Sequence, residues 1–261
     1  VQVISDGGSE EYAQAICSYL SFAVDRTANR MSTLCVWNRI GEKIEQTFAR
    51  QAIPMIWEFA EANIFSNSTG SWSGSLEWIP KCIEQFPATL QGVAKQADAQ
   101  DGIGMRNVMI STDPPYYDMI GYADLSDFFY IWMRKALKDI YPELFRTMLV
   151  PKEEELIATP YRFDGSADRA KEFFERGMSD ALLQIYHAAN NDIPITIYYA
   201  FKQTETDKNN NTASTGWETM LSAILSAGLL ITATWPIRTE RPTGLKAFEN
   251  ALASSIVLVC R

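Results

Sequence analysis

The spacing of apolar positions changes character near residue 89. Before that point it is helical. Tyr12, Ala15, Ile16, Tyr19, Leu20 and Ala23 recur three and four residues apart, which predicts a helix over residues 9–26 opened by Ser9. A second helix is predicted over residues 42–61, interrupted near Pro54, with Trp57, Phe59 and Phe65 crowding its far end. Residues 65–75 are rich in Ser, Asn, Gly and Thr and read as a loop before a third helix over residues 76–86. Residues 1–88 are therefore expected to form a helical layer. Beyond it, short apolar runs alternate with helical patterns. Residues 90–97 are a strand candidate ending at Asp98, and Asn107-Val108-Met109-Ile110-Ser111-Thr112 is a second. Residues 125–140, with Phe128, Phe129, Tyr130 and Trp132, predict a crossover helix packed on a sheet. After an excursion over residues 142–165 come a helix at 167–189, a β-branched and aromatic strand at 194–201, and a helix from Thr215 that Gly228 ends. Strands at 229–235 and 255–260 close the chain. This alternation predicts an α/β fold with a doubly wound sheet over residues 89–261.

Composition narrows the picture. With 261 residues and 47% hydrophobic letters the chain can bury a full core, as one large domain or two smaller ones. A net charge of -9 opposes nucleic-acid binding by bulk electrostatics, so any DNA contact must be local. Candidate cations for it lie late in the chain, at Lys202, Lys208, Arg238, Arg241 and Lys246, although a solvated surface accounts for most of them. The four cysteines lack the paired spacing of a zinc site and are expected to be buried free thiols in a reducing compartment. The single histidine, His187, sits in an apolar helical stretch and reads as a packed or half-exposed helix residue rather than a catalytic base, so no metal site is expected. The run Lys152-Glu153-Glu154-Glu155 reads as a wet face. No run approaches the ~20 apolar residues of a membrane span and no signal peptide opens the chain, so a cytoplasmic location is expected.

The chemistry is concentrated in Asp113-Pro114-Pro115-Tyr116-Tyr117-Asp118, which leaves the strand ending at Thr112. An acid and a proline carbonyl can accept the two hydrogens of an exocyclic amine while an aromatic ring stacks on the planar group that carries it. The nitrogen lone pair then stays free to attack a methyl sulfonium, a reaction that needs in-line placement more than a strong base. The same letters also suit a proline-stiffened turn. Position favours chemistry, because the carboxyl ends of strands form the site edge of an open α/β sheet. Asp113, Pro114, Pro115 and Tyr116 are the candidate catalytic residues, and Tyr117, Lys202 and Trp217 the candidate substrate contacts. For Trp217 a structural job is an equal expectation.

With these residues in hand, the chain resembles the large adenine-specific DNA methylases of bacteria and archaea that carry an uncharacterised amino-terminal domain. The resemblance runs through Phe48-Ala49-Arg50-Gln51-Ala52-Ile53-Pro54-Met55, the hexapeptide, Leu125-Ser126-Asp127-Phe128-Phe129-Tyr130, Thr196-Ile197-Tyr198-Tyr199-Ala200-Phe201-Lys202, Ser214-Thr215-Gly216-Trp217-Glu218-Thr219-Met220 and Ala251-Leu252-Ala253-Ser254-Ser255-Ile256-Val257. It implies a class I, Rossmann-like methyltransferase sheet, S-adenosylmethionine as cofactor, and Asp113, Pro114 and Tyr116 holding an extruded adenine of DNA. It also implies Asp98 as an acid near the cofactor's adenine. The chain departs from the family in lacking a glycine-rich loop after a first strand and an acid ending a second: Gly7-Gly8 has no strand before it, and Gly70 to Gly74 lacks the surroundings. In the family that loop lies upstream. The expectation is thus the carboxyl-terminal part of a longer enzyme, partnered by its upstream part, with an incomplete sheet. Cytosine N4, RNA or a protein glutamine as acceptor, and a non-catalytic docking fragment, remain open alternatives.

Overall fold

The computed structural model describes residues 2–48, 55–87, 89–201, 215–237 and 254–261. Two compact units divide the chain, each made of two stretches: Val1–Val93 with Tyr122–Lys152, and Ala94–Gly121 with Glu153–Arg261.

The first unit is helical. A short turn of helix, α1 (Gln2–Ser5), precedes α2 (Glu10–Ala28). Ser9 starts α2 as the pattern predicts: its Oγ accepts the Tyr12 N–H at 3.2 Å, and Glu10 and Glu11 in the first turn complement the helix dipole. Helix α2 packs against α3 (Trp72–Ile83) and α4 (Tyr122–Leu137). Small side chains let α2 and α3 approach: Thr27 Oγ1 donates to Ser75 Oγ at 3.1 Å in a buried contact. On α4, Phe128 and Phe129 pack around Phe48, while Tyr130, Leu137 and Phe145 form a separate buried cluster whose Tyr130 hydroxyl donates to the Thr147 carbonyl at 2.9 Å.

Three expectations are corrected here. The helix over residues 42–61 is absent from its described portions. Instead β1 (Trp37–Asn38) and β2 (Lys43–Ile44) pair antiparallel, and the Asn38 side chain accepts the N–H groups of Ile40 and Gly41 to close the turn between them. A side-chain acceptor beside a glycine outcompetes a weak helical pattern. Helix α3 starts earlier than predicted, because Ser71 caps it through the Gly74 N–H at 3.2 Å, so Gly74 lies inside the helix rather than in a loop. Helix α4 belongs to this helical unit with α2, where the pattern predicts a crossover helix on the sheet. Periodicity identifies an apolar face without naming what covers it.

Asp25 on α2 is a half-buried acid. Its Oδ1 has no hydrogen-bond donor among the described residues, and burial pushes its carboxyl up to about 7. The folded state therefore holds this proton more tightly than the unfolded chain does, and stability falls as pH rises from the unfolded value near 4 to about 7. The carboxylate is partly exposed, so the penalty at pH 8 is about 1–2 kcal/mol after solvent screening. Asp25→Asn is expected to flatten this slope and raise the urea midpoint at pH 8 but not at pH 4. Equal midpoint changes at both pH values would refute it.

The second unit holds a mixed sheet ordered β3 (Ser111–Thr112), β4 (Ile195–Phe201), β6 (Ser254–Cys260), β5 (Ile231–Ile237). Strand β3 runs parallel to β4, with Ser111 opposite Thr196, whereas β6 runs antiparallel to both its neighbours. Alternate residues Ile195, Ile197 and Tyr199 of β4, with Leu258 and Cys260 of β6, form one buried face. Onto it pack Phe174, Met178 and Leu182 of α5 (Ala167–Ala188) and Met220 and Ile224 of α6 (Thr215–Ser226). Gly228 adopts φ +84° just past α6, where an L side chain would be strained, and so ends it as predicted. Among the described residues both helices of this unit lie on one face of a four-stranded sheet. The coarse α/β expectation holds, and the two-sided winding does not appear in that unit.

The strand predicted at 90–97 does not form. Leu90 and Val93 are its only large apolar residues, both are about 90% exposed, and no described strand pairs with them. The predicted strand before the hexapeptide is shortened to Ser111–Thr112, preceded by a single bridge from Val108 to Ala189. The acidic run is not simply a wet face: Lys152 pairs with Asp127 at 2.7 Å, and Glu155 with Arg162 at 2.8 Å in a largely buried contact. Cys35 and Cys260 are buried free thiols as expected, and burial pushes Cys260 up to about 11, whereas Cys17 and Cys82 are exposed. No helix of the described residues is long and apolar enough to cross a membrane.

Candidate functional site

Strand β3 stops because Pro114 and Pro115 have no N–H to offer a ladder. Asp113 is thereby left exposed at the carboxyl end of a strand that runs parallel to its neighbour. Its carboxylate is oriented locally: the Tyr116 hydroxyl donates to Asp113 Oδ1 at 2.6 Å. An ionised carboxylate has about four acceptor positions, so this bond fixes the group while leaving others for an incoming N–H. Tyr116 is half-buried, and its ring stands edge-on to Tyr199 with centroids 5.5 Å apart.

Tyr117 turns the other way. It adopts φ +51°, uncommon for a bulky residue, and its ring packs edge-on against Phe174 at 5.2 Å. Its carbonyl accepts the Ala158 N–H at 3.0 Å. These contacts hold the strained backbone in place. Tyr117, a candidate substrate contact, is partly buried and also ties the corner to the core, because alternation after two prolines cannot tell which ring faces inward. Trp217, in the first turn of α6, is half-buried and tilted over Tyr199 at 6.1 Å.

The structure thus places Tyr116 and Trp217 against Tyr199, with Asp113 held by Tyr116 and Tyr117 beside Gly216 at the start of α6. Asp98, the candidate cofactor acid, lies apart from these residues in the chain. No strand leads to it, and it caps the single turn Ala99–Asp101, with Oδ1 accepting the Gln100 N–H at 2.8 Å. Lys202, like Lys208, Arg238, Arg241 and Lys246, lies outside the described residues. His187 is exposed beside the Tyr186 ring, and no group of acids, histidines and cysteines among the described residues could hold a metal ion.

Sequence reasoning missed Tyr199, Phe174, Ala158 and Gly216 as supports of the corner. A signal existed for Tyr199: a tyrosine at an inward position of an alternating strand needs a buried acceptor for its hydroxyl.

No known family model matches the chain, and neither a curated protein nor a solved structure shows significant similarity to it.

Proposed function

We propose that this corner is the amine-accepting half of an S-adenosylmethionine-dependent DNA adenine N6-methyltransferase. The observation that supports the reading is the exposed Asp113 carboxylate, held by the Tyr116 hydroxyl at the carboxyl end of a strand in a parallel pair. There it can accept one hydrogen of an exocyclic amine, and the Pro114 carbonyl is the candidate acceptor for the second. An extruded adenine would lose a few kcal/mol of stacking in the duplex and recover it against an aromatic ring and these acceptors. The net charge of -9 requires the DNA contacts to be local. On this reading the parallel pair belongs to a Rossmann-like class I methyltransferase sheet.

The methyl donor is a separate matter. The described residues do not make up a complete donor site: Asp98, which caps a turn, is the one acid assigned to the cofactor's adenine, and no glycine-rich strand-to-helix turn stands among them. The other residues that would hold S-adenosylmethionine, which supplies the methyl group when bound, are assigned outside the described residues.

The test is transfer of an isotopically labelled methyl group, by the chain together with the donor-binding part that this reading assigns to it, to DNA, RNA and protein offered together, followed by nucleoside and amino-acid analysis. N6-methyladenine in DNA is expected. Label in cytosine N4, in RNA or in glutamine would move the substrate class, and no label anywhere would remove the enzymatic reading. A calorimetric titration of the 261-residue chain with S-adenosylmethionine is expected to show no saturable binding. Tight binding would contradict the placement of the donor site elsewhere.

A further inference from the structure

The corner is seated on an interior residue with no assigned role. Tyr199 of β4 is 2% exposed, on the same inward face as Ile195 and Ile197. Its hydroxyl is buried and donates to the Gly216 carbonyl, in the first turn of α6, at 3.2 Å. Its ring is tilted under Trp217 and meets Tyr116 edge-on, with an interplanar angle of 84°. The Tyr116 hydroxyl in turn holds Asp113. These contacts form a continuous path from the start of α6, through two phenols, to the candidate carboxylate.

Gly216 keeps that path tight. A Cβ there would lie 3.0 Å from Tyr117 Cβ and 3.2 Å from its Cγ, so any side chain would press on the corner itself. The helix start and the corner are therefore packed against one another on both sides, by Tyr199 through the Gly216 carbonyl and by Tyr117 through the missing side chain.

We propose that Tyr199 is a positioning residue for the amine-accepting carboxylate, with its hydroxyl pinned to Gly216 so that its ring sets the seat of Tyr116 and hence the direction in which Asp113 faces. This rests on the amino-methyltransferase reading of the corner. Edge-to-face ring pairs are directional, so a rotation of Tyr199 is passed to Tyr116. The terminal torsion of an aspartate is broad and soft, so the carboxylate depends on the Tyr116 hydroxyl for its orientation. Misorientation slows in-line transfer while leaving backbone-dominated DNA affinity alone.

Tyr199→Phe in the whole protein removes the pin and keeps the ring. Methyl-transfer turnover is expected to fall about tenfold, with the Michaelis constant for DNA within about twofold. Tyr198→Phe, at the neighbouring exposed position on the opposite face of the strand, leaves turnover unchanged. A readout independent of activity comes from fluorine NMR of protein labelled with 3-fluorotyrosine, with the Tyr116 signal assigned by its loss in Tyr116→Phe. That signal is expected to shift in Tyr199→Phe and to stay in Tyr198→Phe. Gly216→Ala carries the same spectral test if Tyr199→Phe does not fold.

An active parent with undiminished Tyr199→Phe turnover overturns the positioning role and leaves the methyltransferase reading standing. A parent that methylates nothing overturns the latter, and the fluorine spectrum then decides the coupling. A Tyr116 signal that does not move overturns it.

Discussion

Asp113→Ala is expected to lower the proposed methyl transfer by about 10²–10³-fold without unfolding the protein. Loss of a hydrogen bond to a charged group costs about 1.5–3 kcal/mol, and loss of the aligned amine adds to it. Asp113 is exposed, so folding stability should change by no more than about 0.5 kcal/mol. Asp113→Asn keeps one acceptor oxygen and exchanges the other for an NH2 donor, so it should be less damaging than Asp113→Ala. Turnover and urea midpoints measured side by side separate chemistry from folding. Retention of more than about a tenth of the activity by Asp113→Ala would exceed what a carboxylate with this role allows and would return the hexapeptide to the status of a turn.

Phe174→Ala is expected to be the most damaging single core change. Phe174 is fully buried on α5, in the cluster that includes Ile197, Met220 and Leu258, and its ring supports Tyr117. Truncating such a phenylalanine costs about 3–5 kcal/mol, a large share of a typical domain's stability of about 5–15 kcal/mol. The melting temperature should fall by about 10 °C or more. Phe174→Leu retains most of the volume and should cost much less. An Ala variant that loses under about 1 kcal/mol would mean that α5 does not organise this core. Because such contacts help to hold the left-handed backbone of Tyr117, the same substitution should loosen the corner and depress the proposed activity beyond what the unfolded fraction explains.

Legibility followed the strength of the local signal. Helices α2, α5 and α6 and strands β4, β5 and β6 were readable because long periodic runs end in chemically distinctive residues, such as Ser9 before α2 and Gly228 after α6. The failures were weak patterns. Residues 90–97 had too few large apolar side chains to hold a strand, and residues 42–48 yielded to a side-chain-capped turn at Asn38. At the site, the acid and aromatic of the hexapeptide were visible, but the division of labour between Tyr116 and Tyr117 was not. It depends on Tyr199, 82 to 83 positions further along the chain, and on Phe174.

From its residues alone the chain determines an α/β protein with a helical amino-terminal part and a proline-stiffened acidic corner after a strand, because periodicity and proline chemistry act over a few residues. Only tertiary structure decided that α4 joins the amino-terminal helices, that both helices of the second unit share one face of its sheet, and that Tyr116 holds Asp113 while Tyr117 anchors the core. Those outcomes depend on which distant surfaces meet, and an apolar or aromatic side chain carries no local record of its partner.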